Sequence, residues 1–460
     1  MINAKHLLLM TAIILCLAGM LPRGALCREQ ISPKVMNLEQ IVALAVAQNP
    51  EIEEVQSDVL AARSDLQQVE AAYYPQIEAI AVAGPMRDAK EPLVVNGRIT
   101  DPSPGLSFSS IGIFGKFDIT ATQPLYTFGK ISNRKEAAAR GVKAKEHAVA
   151  DKKGQIVLRV RQLYYGLVLA SSGLNYADES MDFFASAAQR IRKLLELEST
   201  TVKESDLYQV EAYRSEAVRF RSEAEKGMKT SYLALKAMLR MAPGEEFAAA
   251  DKSLPGSPEK LTDLADFIQA ARTNRPEFKQ LAEALVAKEY LVKGAESDLY
   301  PSFFAAAVGS FAGAPGRDRL DSQYLPDELN HAYGGVVAGA KWNLDFGISR
   351  AKVDKAKAEY QRLVNTKAVA EMNIPIQVTK VYQDCLEALV SVNSYREAAT
   401  ASRKWVLTAM TDFDMGVGSA DNMLRAIDMY GRNQGKYVEA LFRYNLSRAE
   451  LEYVTGMKTW

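Results

Sequence analysis

The chain has 460 residues, with 56 basic and 56 acidic side chains, and 24 % of its residues are charged. This balance excludes a strong net field of the kind that attracts nucleic acid or an acidic substrate. The ordinary share of charged and aromatic residues excludes wholesale disorder, and long stretches rich in Ala, Glu, Lys, Leu, Arg and Gln indicate long helices.

The first residues are typical of an export signal. Lys5 and His6 precede the apolar run LLLMTAIILCLAGML at 7–21, which PRGALC follows. A basic start and an apolar run too short to cross a bilayer predict a signal peptide over 1–27. A lipidated Cys27 is the alternative, although bulky Leu26 matches a lipidation signal poorly.

The rest of the chain contains no further candidate for a membrane helix. Beyond the signal, no apolar run approaches the roughly 20 residues that such a helix needs. Cys385 is the one cysteine well inside the predicted mature chain, so no disulfide framework is expected. If the exported protein crosses a membrane, it must therefore do so with strands.

One pattern occurs twice. PEIEEVQSDVLAARSDLQQVEAAYYP begins at Pro50, and PEFKQLAEALVAKEYLVKGAESDLYP begins at Pro276, 226 positions later. Farther along, YTFGK matches LDFGI at an offset of 218, and Leu235 matches Leu451 at 216. Offsets that shrink in small steps indicate two copies of one unit with short loop deletions.

This pattern predicts the organisation of the chain. After the signal peptide, a first repeat covers 28–240, a linker rich in Pro, Gly and Ser covers 241–260, and a second repeat covers 261–460. Each repeat reads as helix, helix, strand, loop, strand, very long helix and helix. In the first copy, a helix over 38–48 precedes one that Asn49 caps and Pro75 stops.

Two strand-like segments follow in each copy. They lie at about 76–84 and 111–123, and at about 302–312 and 334–344. In the second segment Ile113 and Phe117 alternate with polar residues such as Thr120. Each segment is near the roughly 9–11 residues of a tilted membrane strand. Alternation alone does not exclude the alternative, which is a soluble sheet with one buried face.

Helical patterns of unusual length come next. They run without interruption from Gly129 to about Glu198 and from Gly347 to about Met415. Roughly 69 residues at 1.5 Å each give about 100 Å, far beyond a globular helix, and predict a tube or stalk of helices. Pro375 lies inside the second pattern and predicts a kink or a break there.

Four strands per chain cannot close a barrel, since the smallest single-chain barrels have about eight. Because lipid does not tolerate an open sheet edge, a membrane sheet of this chain must close by oligomerisation. An enzyme is not expected. The chain has three histidines and lacks the HExxH, GxSxG, P-loop and paired-cysteine motifs. Neither a cofactor nor a metal is predicted.

The ordered set of features resembles the TolC-type outer-membrane efflux proteins over about residues 38–457. It comprises the repeat, the two Tyr-Pro joints and the segments QPLYTFGK, WNLDFG and YNLSRAELEYVTG. The resemblance implies a mainly α fold with a transmembrane β-barrel part. Long helical hairpins would form an α-barrel tunnel, and four strands per chain would contribute to a trimeric twelve-stranded barrel.

The resemblance also implies a function. The protein would be a homotrimer in the lipid of the cell outer membrane, extending into the periplasm. It would conduct substrates passively from a periplasmic adaptor (membrane fusion) protein and an inner-membrane transporter, and no nucleic acid is involved. The competing hypothesis is a periplasmic coiled-coil adaptor or scaffold, against which two hairpins and four membrane-length strands argue.

In this family the hairpin ends dock the adaptor. The second end reads MGVGS, with glycines suited to a turn. The first reads STTVKE, lacks glycine and places Thr200 over Gly416, so docking is better supported at the second end. The predicted docking residues are Met415, Gly416, Val417, Gly418, Ser419, Thr200, Thr201 and Val202.

Two further sets of positions follow from the resemblance. Related channels narrow their periplasmic aperture with two aspartates one helical turn apart. The matching positions are Asn422 and Arg425 in the second copy and Asp206 and Gln209 in the first, so Asp206 is the one acidic candidate. A solvated helix face is the alternative.

An aromatic girdle is predicted where the strands end opposite the long loops. Aromatic side chains cluster there in the sequence, and filling the junction between sheet and helices is the alternative role. The predicted girdle residues are Tyr74, Tyr126, Tyr300 and Trp342.

Overall fold

The computed structural model describes residues 33–88, 94–95, 98–99, 111–256, 261–320 and 323–457. The predicted signal peptide lies outside the described residues. Within them the chain forms, in order, β1 (Lys34–Met36), α1 (Leu38–Gln48), α2 (Pro50–Ala71), β2 (Gln76–Arg87), β3 (Val94–Val95), β4 (Arg98–Ile99), β5 (Ile111–Tyr126), α3 (Lys130–Glu196), α4 (Glu204–Met238), β6 (Phe247–Ala249), α5 (Leu264–Asn274), α6 (Pro276–Ser297), β7 (Ser302–Gly313), β8 (His331–Lys341), α7 (Ile348–Asp414) and α8 (Ala420–Thr455).

The elements repeat with the spacing of the sequence pattern. α1, α2 and β2 begin 226 positions before α5, α6 and β7. α3 and α7 both have 67 residues and begin 218 positions apart, and α4 and α8 begin 216 positions apart. The mainly helical fold with an internal repeat is therefore confirmed.

Local sequence explains where the first two helices begin. The Asn37 side chain accepts a hydrogen bond from the backbone N–H of Gln40, and the Gln40 side chain accepts one from Asn37 N–H, a capping box. Asn49 Oδ1 accepts from Glu51 N–H at 2.9 Å, and Pro50 occupies the first turn of α2, where its missing N–H costs nothing.

A Phe-Gly pair begins each of the two long helices. Phe128 and Phe346 have φ of 50° and 47°, and Gly129 and Gly347 have φ of 86° and 142°. Glycine adopts such angles without the steric penalty of a side chain. Both repeats therefore turn from strand to long helix over the same two residues.

The two long helices are flanked by different shorter helices at their two ends. α3 and α7 run the whole length, about 100 Å at 1.5 Å per residue. At one end α3 packs against α4 and α8, and α8 packs against α7; at the other, α3 packs against α2 and α6, and α6 packs against α7. Among the helices described, none is both long and apolar enough to cross a membrane.

Part of the segment predicted as a linker belongs to the core. β6 pairs in parallel with β1, and Phe247 is buried and stacks on Tyr232 with 4.8 Å between ring centroids. A buried aromatic side chain stabilises the segment in place, so residues 241–256 pack against the helices and do not simply join two repeats.

Of the kink or break predicted at Pro375, the break is wrong, because α7 continues from Ile348 to Asp414 with Pro375 inside it, and the kink stays a prediction. The neighbouring Ile374 and Val378 are buried in a cluster with residues of α5 and α8. This packing holds the helix together although the proline ring removes a backbone hydrogen bond.

Pro375→Ala is therefore expected to stabilise the folded protein by about 2 kcal/mol. An interior proline costs a helix about 3 kcal/mol, of which about 1 is offset by its stiffening of the unfolded chain. Denaturant unfolding of the detergent-solubilised protein measures the change. The exposed neighbour Asn373→Ala is the control and should change the unfolding free energy by less than about 0.5 kcal/mol; an unchanged midpoint for Pro375→Ala contradicts the account.

The four long strands form one antiparallel sheet in the order β2–β5–β7–β8. The ladder between β5 and β7 joins the two repeats. β2 and β8 are the edges, and each pairs on one side only within the described chain. The sheet stands at the end of the helical layer where the turns at Gly129 and Gly347 lead into α3 and α7.

Candidate channel wall and hairpin tips

One face of the sheet is apolar and exposed. The register sets Phe117 opposite Phe311, and Ile113, Phe117 and Val336 all point to this face. Ile113 is 74 % exposed, and Phe311 and Val336 are exposed as well. Large apolar side chains exposed together on one face indicate contact with lipid or with another protein.

The opposite face carries a polar chain across three strands. Lys116 Nζ lies 3.0 Å from Asp118 Oδ2, and Ser310 Oγ donates to Asp118 Oδ1 at 2.6 Å. His331 Nε2 lies 2.8 Å from the same Ser310 oxygen. Lys116 and Asp118 share one face of β5 because side chains alternate along a strand, but the bond between Asp118 and Ser310 depends on a ladder between residues almost 200 positions apart.

The predicted girdle residues Tyr74, Tyr126, Tyr300 and Trp342 are all exposed at the helix end of the sheet. Phe128 brings two of them together: its ring centroid lies 4.8 Å from that of Tyr126 and 5.1 Å from that of Tyr300. Trp342 Nε1 donates to the Leu299 carbonyl at 3.1 Å. Sequence reasoning missed Phe128, whose place depends on its left-handed backbone. The girdle itself stays a prediction.

The second hairpin end is a compact turn. Gly416 has φ of 76°, and the N–H groups of Val417 and Gly418 donate to the Asp412 carbonyl at 3.0 and 2.9 Å. A Cβ on Gly418 would lie 2.8 Å from Phe413 N. Ser419 Oγ then accepts from Asn422 N–H and caps α8. The turn presents Met415 and Val417, the latter 79 % exposed.

The first hairpin end is two residues longer, and the match of Thr200 with Gly416 is wrong. α3 and α7 keep their offset of 218 through their last residues, Glu196 and Asp414. Glu198, with φ of 53°, therefore corresponds to Gly416 and takes the same left-handed conformation. The two extra residues follow, where Ser199 and Thr201 join hydroxyl groups at 2.8 Å.

Val202 is not available for docking in this chain. It is 6 % exposed and lies in the cluster that includes Ile191 and Val210 of α3 and α4. An apolar residue between two helices of a hairpin is driven into their core. Thr200 and Thr201 remain on the surface of the first end, and both are exposed.

The four aperture positions lie at the starts of α4 and α8. Asp206 Oδ2 accepts from Lys203 N–H at 2.9 Å and so caps α4. Asn422 Oδ1 accepts from Trp405 Nε1 at 3.3 Å. Gln209 and Arg425 are exposed.

Arg425 is paired within its own helix. Its guanidinium donates to Asp421 one turn earlier, and this bond holds the pKa of the Asp421 carboxyl below its usual range. Asp421, which the sequence comparison did not single out, thus compensates the positive charge of Arg425. The structure brings Arg425 together with Asp421 and not with Asp206.

The described residues include no group of three or more His, Cys, Asp or Glu able to hold a metal ion. Cys385 is buried between helices, and this burial raises the pKa of its thiol, which keeps it protonated. The candidate site described by the structure consists of surfaces: an apolar sheet face, a polar sheet face and two hairpin ends.

Comparisons with known proteins agree with this description. Residues 41–197 match the family model described as outer membrane efflux protein, a family of efflux proteins and not of enzymes. No curated protein matches the sequence. The resemblance to TolC-type outer-membrane efflux proteins is confirmed by the family match together with the fold of solved channels.

Three solved structures illustrate the shared fold, and each aligns over 91 % of this chain. The open state of the Neisseria gonorrhoeae MtrE outer membrane channel has a TM-score of 0.74 at 15 % identity, over 88 % of its length. The Campylobacter jejuni CmeC outer membrane channel gives 0.71 at 16 % over 85 %, and the outer membrane protein VceC of Vibrio cholerae gives 0.71 at 14 % over 96 %.

Proposed function

Because this chain combines the sequence pattern of the outer membrane efflux proteins with the fold of outer-membrane channels, we propose that it is the outer-membrane channel of a tripartite efflux or secretion system. It conducts substrates passively, and a periplasmic adaptor and an inner-membrane transporter supply them. One observation carries the proposal: a sheet with an exposed apolar face and two open edges stands on helices about 100 Å long.

The open edges support a homotrimer. β2 and β8 have 12 and 11 residues, and each leaves one row of backbone donors and acceptors unpaired by the described chain. Lipid does not tolerate such edges, so the strands of several copies must close into a barrel. Three copies supply the twelve strands that the family resemblance implies, and their helices continue the barrel as a tunnel into the periplasm.

The internal repeat indicates how the edges meet. Ala121 of β5 lies opposite Ile77 of β2, and Ala340 of β8 lies opposite Phe303 of β7. Ile77 and Phe303 are counterparts in the two repeats, 226 positions apart. Ala340 is therefore the counterpart of Ala121.

The central ladder then gives the register between copies. Ala121 lies opposite Ala307 within one chain, and the counterpart of Ala307 in β2 is Ala81. We expect β8 of one copy to pair with β2 of the next in the register that β5 and β7 have within one chain. This register sets Ala340 of one copy opposite Ala81 of the next. Residues directly opposite in a sheet have Cβ atoms about 5 Å apart.

Cysteines at these two positions test the proposal. In the outer-membrane fraction, Ala81→Cys combined with Ala340→Cys should be joined by a short thiol-specific cross-linker into covalent dimers and trimers. The control pairs Ala81→Cys with Val336→Cys, on the same face but about 13 Å farther along β8, and should be joined far less. Equal cross-linking of both pairs, or none with the first, contradicts the closed barrel.

The hairpin ends lie about 100 Å from the sheet, where we propose that the adaptor docks. The exposed Met415 and Val417 on the Gly416–Gly418 turn offer a rigid apolar knob at the second end. At the first hairpin end we propose that Thr200 and Thr201 contact the adaptor, while the buried Val202 only stabilises the hairpin. Asp206, Gln209, Asn422 and Arg425 stand just inside these ends, and we propose that they line the periplasmic aperture.

A further inference from the structure

We propose that Arg214 of one copy of this chain pairs with Glu397 of the next, and that Ala237 contacts Val369 and Met372 there. These residues meet where α7 of one copy packs against α4 and α2 of the next, as α3 packs against α8 and α6 inside one chain. The contact inside one chain is called the inner seam, and the contact between copies is called the outer seam. The inference rests on the proposed trimer and adds which helices and side chains meet across it.

The contacts of the single chain leave complementary edges. α3 packs against α4 and α2 of its own repeat and against α8 and α6 of the other. α7 packs mainly against α8, α6 and α5, all of its own repeat. Among the described elements, α7 therefore has no comparable packing against helices of the other repeat. In the same part of the chain, α4 and α2 each pack against one long helix, whereas α8 and α6 each pack against two.

Counterparts across the two seams follow from the repeat. A residue of α3 corresponds to the residue 218 positions later in α7, and one of α8 to the residue 216 positions earlier in α4. α6 corresponds to α2 at 226 positions. Each pair of residues in contact across the inner seam therefore predicts a contact between their two counterparts across the outer seam.

The first pair shows an exchange of size. Tyr453 Oη donates to Asp151 Oδ1 at 3.0 Å, and its ring lies 3.1 Å from where a Cβ on Gly154 would stand. The counterpart of Tyr453 is Ala237, and those of Asp151 and Gly154 are Val369 and Met372.

Inside the chain, the large Tyr453 ring covers the small Gly154. In the outer seam the sizes are exchanged, because the small Ala237 faces the larger Val369 and Met372. Met372 is 70 % exposed in the single chain, and Val369 is exposed beside it. Against Ala237 of the next copy, these two side chains fill the space that the Tyr453 ring fills inside the chain. The hydrogen bond between Tyr453 and Asp151 has no equivalent in the outer seam. Val369 has no acceptor in its side chain, and Ala237 has no hydroxyl group.

The second pair shows an exchange of chemistry. Tyr430 Oη donates to Glu179 Oε2 at 2.8 Å across the inner seam. The counterparts are Glu397 and Arg214, so a guanidinium replaces the phenol opposite the same carboxylate. Both are exposed in the single chain, and the described residues contain no ion pair of either. Across the outer seam they form a charge-assisted hydrogen bond.

Two ion pairs of the inner seam next to the sheet have no charged residue at either counterpart position in the outer seam. Arg140 and Glu283 lie 3.1 Å apart between α3 and α6, and their counterparts are Ala358 and Ser57. Lys130 and Asp298, 2.6 Å apart, correspond to Ile348 and Ala72 in the same way. Arg134, which also pairs with Asp298 at 3.0 Å, corresponds to the basic Lys352, so this third pair loses only its acidic member. The joint loss in the other two pairs is consistent with a contact between copies.

Cross-linking tests the arrangement in the full-length trimer purified from the outer membrane. Met372→Cys with Ala237→Cys should be joined between chains by a short thiol-specific reagent. Val390→Cys with Ala237→Cys is the control, because exposed Val390 lies about 27 Å farther along α7. It should give no covalent dimer.

A charge exchange tests the ion pair. Arg214→Glu and Glu397→Arg should each lower the temperature at which SDS-resistant trimers dissociate by several degrees, since each places like charges together. The double exchange should restore most of the loss. Single and double variants that dissociate alike overturn the pairing of these two residues.

The outcomes separate the two proposals. A trimer in which the Ala81 and Ala340 cysteines are joined, while those at Met372 and Ala237 are not, overturns the outer seam and leaves the channel standing. A protein that forms no trimer and gives neither product overturns both.

Discussion

Ile113→Lys or Phe117→Lys is expected to remove most of the protein from the outer membrane. Both side chains point to the exposed apolar face of the sheet. A lysine on the lipid face of a barrel costs about 2–4 kcal/mol near the bilayer middle and less toward its surfaces, and the proposed trimer carries the substitution three times. Phe117→Lys should therefore have the larger effect, because Phe117 lies nearer the middle of β5 than Ile113 does. Immunoblots of separated membrane fractions measure the loss, which should reach at least tenfold.

Thr120→Lys is the matched control for this prediction. Thr120 is on the same strand but on the opposite face, beside Lys116 and Asp118. In the proposed barrel a lysine there points into the water-filled interior, where charged residues are tolerated. If Thr120→Lys lowered the outer-membrane level as much as Ile113→Lys, the assignment of the two faces would be refuted.

Gly418→Val is expected to abolish efflux while leaving the amount of trimer unchanged. Even a Cβ at this position would lie 2.8 Å from Phe413 N and 2.9 Å from the Asp412 carbonyl carbon, so the turn must open. Backbone strain of this kind costs about 1–3 kcal/mol, which at a docking surface corresponds to a loss of roughly 5- to 150-fold in affinity. Drug susceptibility or dye accumulation in cells measures the effect.

Two control variants separate the shape of the turn from general damage. Gly416→Asn should retain efflux because Asn tolerates the left-handed conformation, whereas Gly416→Val should lose it. Gly141→Ala adds a methyl group in α3 where no atom lies within 4 Å, and it should be silent. Full efflux by Gly418→Val would show that this hairpin end does not dock the adaptor.

Periodicity and turn residues sufficed to predict most of the architecture. Pro50 and Pro276 begin helices because proline fits the first turn, and the alternation around Ile113 and Phe117 is that of a strand with two unlike faces. These are local effects, and they act the same way in both copies. The fold and its repeat could therefore be predicted from one sequence.

Other features depend on packing between distant segments. Pro375 stays inside a helix because Ile374 and Val378 are buried by α5 and α8. Val202 is buried because the hairpin closes over it, and Glu198 takes a left-handed conformation because the hairpin turn requires one there. The bond between Ser310 and Asp118 exists only because β7 pairs with β5 in one register. Propensity alone could not foretell these four outcomes.

The doubled segment from Pro50 to Pro75 and from Pro276 to Pro301 has an architectural meaning. Each copy forms one helix of the upper tunnel and then passes into a strand at Gln76 or Ser302. In the proposed trimer, two copies per chain make the inner and outer seams alternate around a closed tube. We therefore expect the repeat that shapes one chain also to determine how the next chain fits against it.

The size and location of the native assembly test the central claim most directly. Cells are fractionated, and the outer-membrane material is run on SDS gels before and after heating. The account predicts a species of three mature chains in the outer membrane that falls to single chains on heating. A soluble monomer in the periplasm would contradict it, because the open edges of β2 and β8 would then have no partner.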